Sequence, residues 1–181
     1  MEFDLSAFKV LIKKIFPPSK CVYTIDTNND GISDSILIRA LNVVFPIEIP
    51  EEIDIEDLSK GQIDPDRLNF SNFLNIYLDD EQIHIPKNIQ DKESLTQNFT
   101  LYHKDQRFSF KDIMEGSFGG TTIALGDKID ILIKVSDETL KKLTVGNHNL
   151  KLELASFPKL KVEFDLSEEN FNRKYLDGSF E

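Results

Sequence analysis

The residues whose types and spacing suit chemistry lie in one polar stretch, "TIDTNNDGISDS", between two apolar runs. Oxygen-bearing side chains recur there at alternate positions, in the pattern D-x-N-x-D-G-x-x-D. A hard cation such as Ca²⁺ takes about six to eight oxygen ligands, and a loop that coils around it points every second side chain inward. The predicted ligands are the side chains of Asp26, Asn28, Asp30 and Asp34 and the main-chain carbonyl of Ile32.

The sixth and twelfth positions of this pattern indicate which kind of calcium loop to expect. Gly31 stands sixth, where the chain reverses direction and the lack of a Cβ permits the required backbone conformation. Leu37 stands twelfth, where helix-loop-helix sensors place a bidentate glutamate, and the flanks are typical of strands. A metal-free polar turn is the alternative, because Asn-Asp-Gly is itself a turn signal. The additional spaced carboxylates favour calcium, since a turn does not require them.

The stretch from residue 26 to residue 34 resembles the short Asp-rich calcium loops of thrombospondin type 3 repeats and the strand-flanked loops of integrin-type propeller blades. The resemblance is local and occurs once in the chain. It implies a ligand role for Asp26, Asn28, Asp30 and Asp34, and it carries over neither family's fold nor its function.

Composition and charge limit the classes of protein and of partner. The chain has 181 residues, 40% of them hydrophobic, which suffices for one domain with a core. Its formal net charge of -11 repels phosphate backbones and anionic lipid, so nucleic acid is disfavoured as a partner and divalent cations are favoured. No apolar run suits insertion into a membrane.

The elements on either side of the loop must position it, and two strands are predicted to do so. Apolar side chains at helical spacing first predict a short amphipathic helix over 6–16, closed by two prolines. "KCVYTID" and "SILIRALNVVF" then predict a hairpin that carries the loop and completes an N-terminal unit over 1–50. Residues 51–69 are acidic and predict an exposed connection to a β region over 70–181. One continuous domain over 1–181 is the alternative.

The second half of the chain contains a succession of short predicted strands. Apolar residues alternate in "HNLKLELASF" and "KLKVEFDL", and "DD", "KDQ" and "GD" supply turn signals. The predicted fold is therefore mainly β, an antiparallel β-sandwich with "SDETLKKL" as the only helical insert of this half. Residues 70–166 resemble, in strand pattern, the immunoglobulin-like domains of bacterial and archaeal surface proteins. This resemblance implies an immunoglobulin-like sandwich.

Residues that support catalysis are sparse and dispersed. His84, His103 and His148 lie in separate segments without His-x-x-x-His or Cys-His spacing, so they are predicted to be surface or sheet histidines. The glycines of "EGSFGGTT" lack the Gly-Lys-Ser/Thr of a phosphate loop and precede a strand, which favours a mobile hairpin or edge loop. Cys21 is alone, which excludes an internal disulfide. The protein is therefore predicted not to be an enzyme.

Two functions remain from the sequence. The first is a non-enzymatic calcium-binding β-sandwich that mediates binding or adhesion to a protein or glycan at a cell or particle surface. The second is an intracellular structural or assembly protein whose polar hairpin holds no metal. The Asp-rich loop and the acidity favour the first, whereas the free Cys21 and the lack of a signal segment in this sequence favour the second. An extracellular or cell-surface location is favoured, and a cytoplasmic location stays open.

Overall fold

Antiparallel strands make up most of the regular structure, which confirms the predicted mainly β fold. The computed structural model describes residues 5–49, 74–83, 98–114, 116–154, 160–176 and 179–180. The predicted acidic connection over 51–69 lies outside the described residues. None of the helices in these ranges is long and apolar enough to cross a membrane.

Short helices are interspersed among more numerous strands. Within the described ranges the helices are α1 (Leu5–Ile15), α2 (Phe110–Met114) and α3 (Asp137–Lys142), with a 3₁₀ turn at Glu168–Asn170. The strands there are β1 (Val22–Ile25), β2 (Ser35–Leu41), β3 (Ile47–Glu48), β4 (Leu74–Leu78), β5 (Glu81–Gln82), β6 (Phe99–His103), β7 (Gln106–Ser109), β8 (Thr122–Ile123), β9 (Lys128–Lys134), β10 (Gly146–Leu154), β11 (Leu160–Leu166), β12 (Tyr175–Leu176) and β13 (Ser179–Phe180). Short strands joined by turns are typical of antiparallel sheets.

The N-terminal helix agrees with the helix predicted over 6–16. α1 stops before Pro17, because the proline ring and the missing N–H cannot continue a helix. Ile12 and Ile15 pack against the core from the last turns of α1. The helix therefore covers one part of the core.

The helix α2 contradicts the expectation that "SDETLKKL", which forms α3, is the only helical insert of the second half. A capping interaction explains it. The amide of Asp112 donates to Ser109 Oγ at 3.1 Å, and Asp112 Oδ2 accepts from the Ser109 amide at 2.7 Å. This reciprocal pair satisfies donors at the start of a helix, so one turn of helix forms directly after β7.

Two antiparallel sheets contribute to one hydrophobic core. The first sheet has the strand order β1-β2-β9-β6-β7, and the second has the order β11-β10-β4-β5. Ile36 and Ile38 of the first sheet lie in the same buried cluster as Leu150 and Phe164 of the second. Because β2 pairs with β9, the N-terminal hairpin and the later strands lie in one sheet.

The other face of the first sheet is partly covered by the C-terminal segment. A second hydrophobic cluster lies there, formed by Ile25, Leu37, Tyr102 and Tyr175. Just before β12, the amide of Arg173 donates to the Thr24 carbonyl at 3.0 Å, and the Arg173 carbonyl accepts from the Asp26 amide at 3.1 Å. The C-terminal segment therefore runs alongside β1 and reaches the first residue of the polar loop.

The strand predicted from "SILIRALNVVF" is shorter in the structure and ends at Leu41. Asn42 causes the difference, because its side chain folds the chain into a turn. Its Nδ2 donates to the carbonyls of Phe45 at 2.8 Å and Ile123 at 2.9 Å, and its Oδ1 accepts from the Val44 amide at 3.3 Å. Asparagine side chains commonly replace main-chain partners in this way.

Candidate functional site

The polar loop over 26–34 joins the paired ends of β1 and β2, where Ile25 lies opposite Ser35. Asp26 is its most buried member, with 4% of its surface exposed. Asp26 Oδ2 accepts a hydrogen bond from the Gly31 amide at 2.8 Å, and Oδ1 accepts from the Asp30 amide at 3.3 Å. One buried carboxylate therefore organises the bend of the loop.

Asn28 and Asp30 continue this arrangement on the exposed side of the loop. The Asp30 amide donates to Asn28 Oδ1 at 3.0 Å, and Asn28 Nδ2 donates to Asp30 Oδ2 at 2.9 Å. The Ile32 amide donates to Asp30 Oδ1 at 2.8 Å, while the Ile32 side chain is exposed. Asp26, Asn28 and Asp30 thus form one hydrogen-bonded set.

Gly31 occupies a backbone conformation that suits glycine. Its φ is +91°, and nothing lies within 4 Å of the place that a Cβ would take. The requirement for glycine is therefore conformational rather than steric, since L-residues rarely adopt such a φ. This agrees with the turn expected at the sixth position of the pattern.

Asp34 is held apart from that set by residues at the mouth of the hairpin. Its carboxylate accepts from Thr27 Oγ1 at 2.5 Å, from the Thr27 amide at 3.3 Å and from Ser35 Oγ at 2.9 Å. The Asp34 amide donates to the Ile25 carbonyl at 2.9 Å. Asp34 therefore closes the base of the loop, and the predicted ligands divide into two groups.

The donor set consists of oxygen atoms, which suit a hard cation such as Ca²⁺. Within the described residues, no group of three or more His, Cys, Asp or Glu side chains is placed to hold a metal ion. Each carboxylate oxygen has two lone pairs, so an oxygen that accepts an amide N–H can still bind a cation. Asp26, Asn28 and Asp30 are therefore the predicted ligands that could act together on one cation, whereas Asp34 lies apart from them.

A second polar cluster lies on the sheet, at the other end of the same hairpin. Arg39 of β2 is directly opposite Asp130 of β9 and donates to it twice, from Nε to Oδ1 at 2.7 Å and from Nη2 to Oδ2 at 2.6 Å. Tyr175 Oη donates to Asp130 Oδ2 at 2.8 Å. All three side chains are at least nine-tenths buried. We call Arg39, Asp130 and Tyr175 the buried polar cluster.

The buried polar cluster perturbs the pKa of two of its members. Burial lowers the pKa of Arg39, but the hydrogen bonds and charge of Asp130 outweigh it, so the pKa is raised. Burial and the charge of Asp130 raise the pKa of Tyr175. Sequence reasoning did not identify this cluster. Its one available signal is a single charged residue inside each of the apolar strands "SILIRAL" and "KIDILIK".

The described histidines lie in strands, are buried and bind carboxylates. His103 Nε2 is 3.0 Å from Asp127 Oδ2, and His148 contacts Asp79 through Nδ1 and the Thr144 carbonyl through Nε2, at 2.8 Å. Hydrogen bonding from His103 and from the Ala124 amide lowers the pKa of Asp127. Asp127 and Asp79 both lie at turns, whereas the histidines lie in strands. Each His–Asp contact therefore connects a turn to a strand. His84 lies outside the described residues.

The glycine-rich stretch and the cysteine have structural positions. Gly116–Gly120 form turns that lead into β8, and Phe118 within them is buried against Phe108, with ring centroids 5.0 Å apart. Cys21 is fully buried before β1, and burial raises the pKa of its thiol to about 12. A thiol in this state is a poor nucleophile at neutral pH.

The sequence matches no protein-family model and no curated protein.

Proposed function

We propose that this protein is a non-enzymatic, calcium-binding module of immunoglobulin-like β-sandwich fold that binds a protein or glycan partner. The observation that carries the proposal is the buried Asp26 carboxylate. It accepts hydrogen bonds from the amides of Asp30 and Gly31 and so bends the loop around the oxygen atoms that are proposed as ligands. The two sheets that share one core support the sandwich. The alternation of ligands in D-x-N-x-D-G-x-x-D supports calcium rather than a smaller ion.

Calcium would act on stability by joining the two strands of the hairpin. Asp26 follows β1, and Asp30 and Asp34 precede β2, so a bound ion connects both strand ends. An ion that binds only the folded state raises the free energy of unfolding by about 2.7 kcal/mol at a hundredfold excess over Kd. Mg²⁺ should do less, because it exchanges its waters for protein oxygens reluctantly.

Exposed apolar side chains support the binding part of the proposal. Val44, Phe45 and Leu125 are 49%, 61% and 62% exposed. Asn42 fixes their loops to each other through hydrogen bonds to the carbonyls of Phe45 and Ala124 at 2.8 and 3.2 Å. Large apolar side chains presented on a fixed turn suit contact with a protein partner.

The alternative function is an intracellular assembly protein with a metal-free loop. It is favoured by the hydrogen bonds that Thr27 and Ser35 already make to Asp34. A loop whose carboxylates are satisfied by its own amides and hydroxyls is stable without an ion. The two functions differ in their response to calcium.

A melting experiment with a matched control variant separates them. Wild-type protein in millimolar Ca²⁺ is expected to melt several degrees above the same protein in excess EDTA, and calorimetry should show saturable binding. Asp30→Ala should melt at the same temperature in both buffers, because a ligand has been removed. Asp105→Ala, which removes an exposed acid from the β6–β7 turn, should keep the full calcium response. Identical wild-type curves in both buffers, with no binding heat, would establish the metal-free loop.

A further inference from the structure

A cavity of about 550 Å³ lies on the first sheet, beside the buried polar cluster. It is lined by the segment between α1 and β1, by residues of β1, β2 and the start of β9, and by the residues around the 3₁₀ turn with Arg173. Its volume lies within the range of about 300–1,000 Å³ that is typical of small-molecule sites. We call it the basic cavity, after its lining residues Lys20, Arg39, Lys128 and Arg173.

The charge of the basic cavity is opposite to that of the whole protein. Four basic side chains line it, and Glu169 is the acidic residue among its described lining residues. The chain as a whole carries a formal charge of -11. A concave site of one sign concentrates the field and attracts ligands of the other sign. The net charge of the whole chain, which disfavours anionic partners, therefore does not predict the ligand preference of this cavity.

The basic residues of the cavity have different environments. Arg39 is neutralised by its two hydrogen bonds to Asp130. Among the described residues, neither Lys20 nor Lys128 forms an ion pair, and both are exposed. Their ammonium groups are therefore the charges available to a ligand.

The neighbouring cavity shows by contrast why Lys128 matters. A smaller cavity of about 240 Å³ shares Lys128 with the basic cavity but is also lined by Asp127 and Asp130. Lys104 of that cavity is already paired with Asp127 at 3.2 Å. Both acids of that cavity therefore already have basic partners, Lys104 for Asp127 and Arg39 for Asp130, and neither forms an ion pair with Lys128 in the part of the chain that the structure describes.

Tyr23 adds a neutral polar group to the lining of the basic cavity. The Arg39 guanidinium carbon lies 5.6 Å from the centre of its ring, which holds the ring beside the buried polar cluster. Burial raises the pKa of Tyr23, so its hydroxyl keeps its proton at neutral pH. A protonated hydroxyl adds no negative charge to the site.

We propose that the basic cavity binds a small polyvalent oxyanion, with Lys20 and Lys128 as its principal charge partners. A ligand bearing two negative charges matches two lysines whose charges nothing in the described structure neutralises. Carboxylate and phosphate ligands share this chemistry, and a compact dianion of either kind fits the volume. The site shares no residue with the Asp26–Asp34 loop, so it does not depend on calcium binding.

Titration of wild-type protein in metal-free, low-salt buffer tests the proposal, with inorganic phosphate and succinate as separate probes. Amide chemical shifts at Tyr23, Leu41 and Lys128, which line the cavity, should move and saturate with a millimolar or tighter Kd. Raising the salt concentration should weaken binding, because exposed charges are screened. The tighter probe distinguishes a phosphorylated from a carboxylated natural ligand.

Charge variants locate the binding. Lys20→Gln/Lys128→Gln should weaken the tighter probe at least tenfold, whereas Lys128→Arg should bind within about threefold of wild type, because it keeps the charge. Lys134→Gln is the matched control, since Lys134 is exposed on the same strand and face about 20 Å away. The proposal would be overturned if neither probe saturates at 20 mM, which is roughly twentyfold above a millimolar Kd. It would also be overturned if the double variant and wild type bind the tighter probe equally.

Discussion

The two ends of the β1–β2 hairpin contain or contact carboxylates whose partners differ in kind. At the loop, Asp26 accepts hydrogen bonds from residues four and five positions along the chain. At the buried polar cluster, Asp130 is bound by Arg39 and Tyr175, which are 91 and 45 positions away. The loop is therefore a local structure, whereas the cluster forms only when distant parts of the chain have folded together.

The largest expected effect comes from breaking the cluster. Asp130→Ala leaves the Arg39 charge buried without its carboxylate, which should lower the free energy of unfolding by about 3–5 kcal/mol. Urea denaturation of the variant and wild type measures the difference.

A double variant shows whether the stability lost by Asp130→Ala comes from the missing ion pair or from the Arg39 charge left buried without a partner carboxylate. Arg39→Met/Asp130→Leu removes both charges, and it should recover most of the stability lost by Asp130→Ala, because apolar residues of similar volume replace a buried pair well. A double variant as unstable as the single one would indicate that the cluster stabilises the fold directly.

A smaller effect on the free energy of unfolding is expected from alkaline titration of Cys21. This residue lies at the cluster end of the hairpin, where its carbonyl accepts a hydrogen bond from the Arg39 amide at 2.7 Å. Burial raises the pKa of its thiol to about 12, so the folded state favours the protonated form. The protected thiol therefore contributes to the free energy of unfolding. This stabilisation is fully present below the ordinary thiol pKa of about 8.5 and is lost as pH rises toward 12. We expect a loss on the order of 3 kcal/mol by pH 11.

Comparison with Cys21→Ala isolates this contribution from lysine and tyrosine titration. The stability difference between wild type and variant, measured by urea denaturation from pH 8 to pH 11 (roughly spanning the ordinary thiol pKa), should shrink as pH rises. A difference that stays constant over this range would contradict a protected thiol at the start of β1.

The smallest effect is expected at the loop itself. Gly31→Ala should lower the free energy of unfolding by about 1–2 kcal/mol, because φ is +91° and the added Cβ meets strain rather than a clash. Thermal melting in EDTA measures it without any contribution from calcium.

Gly31→Asn is the control for the loop, and it should cost less than Gly31→Ala, since asparagine tolerates left-handed conformations better. Equal costs for the two substitutions would show that the loop relaxes to another backbone conformation. The loop would then be softer than its hydrogen bonds to Asp26 indicate.

The local features of this protein were predictable because neighbouring residues determine them. The turn at Gly31 and the hairpin that carries it follow from Asn-Asp-Gly between two apolar runs. Alternation in "KLKVEFDL" predicts β11 and its buried face, where Val162 and Phe164 are found. Ser109 and Asp112 form the capping pair that starts α2, and their three-residue spacing was a local signal for this helix.

The loop shows where local reasoning ends. Spacing places Asp34 in the same ligand series as Asp26 and Asp30, yet Thr27 and Ser35 bind its carboxylate at the base of the hairpin. Asn172 reaches the same loop from the C-terminal segment and accepts from Ser33 Oγ at 2.6 Å. Spacing alone does not reveal such competing partners, because hydroxyl donors bind carboxylates wherever the fold brings them.

The sequence by itself determined a β-rich chain, a short helix ending at Pro17 and a polar hairpin loop bent at Gly31. Each of these depends on backbone preferences and on contacts between residues close in the chain. Only the tertiary structure decided that β2 lies beside β9, that Arg39 meets Asp130, and that Lys20 and Lys128 line one cavity on an acidic protein. These features depend on pairing between strands that are distant in the chain. Many pairings and registers satisfy the hydrogen bonds of each strand locally, and burial of the shared core selects one of them.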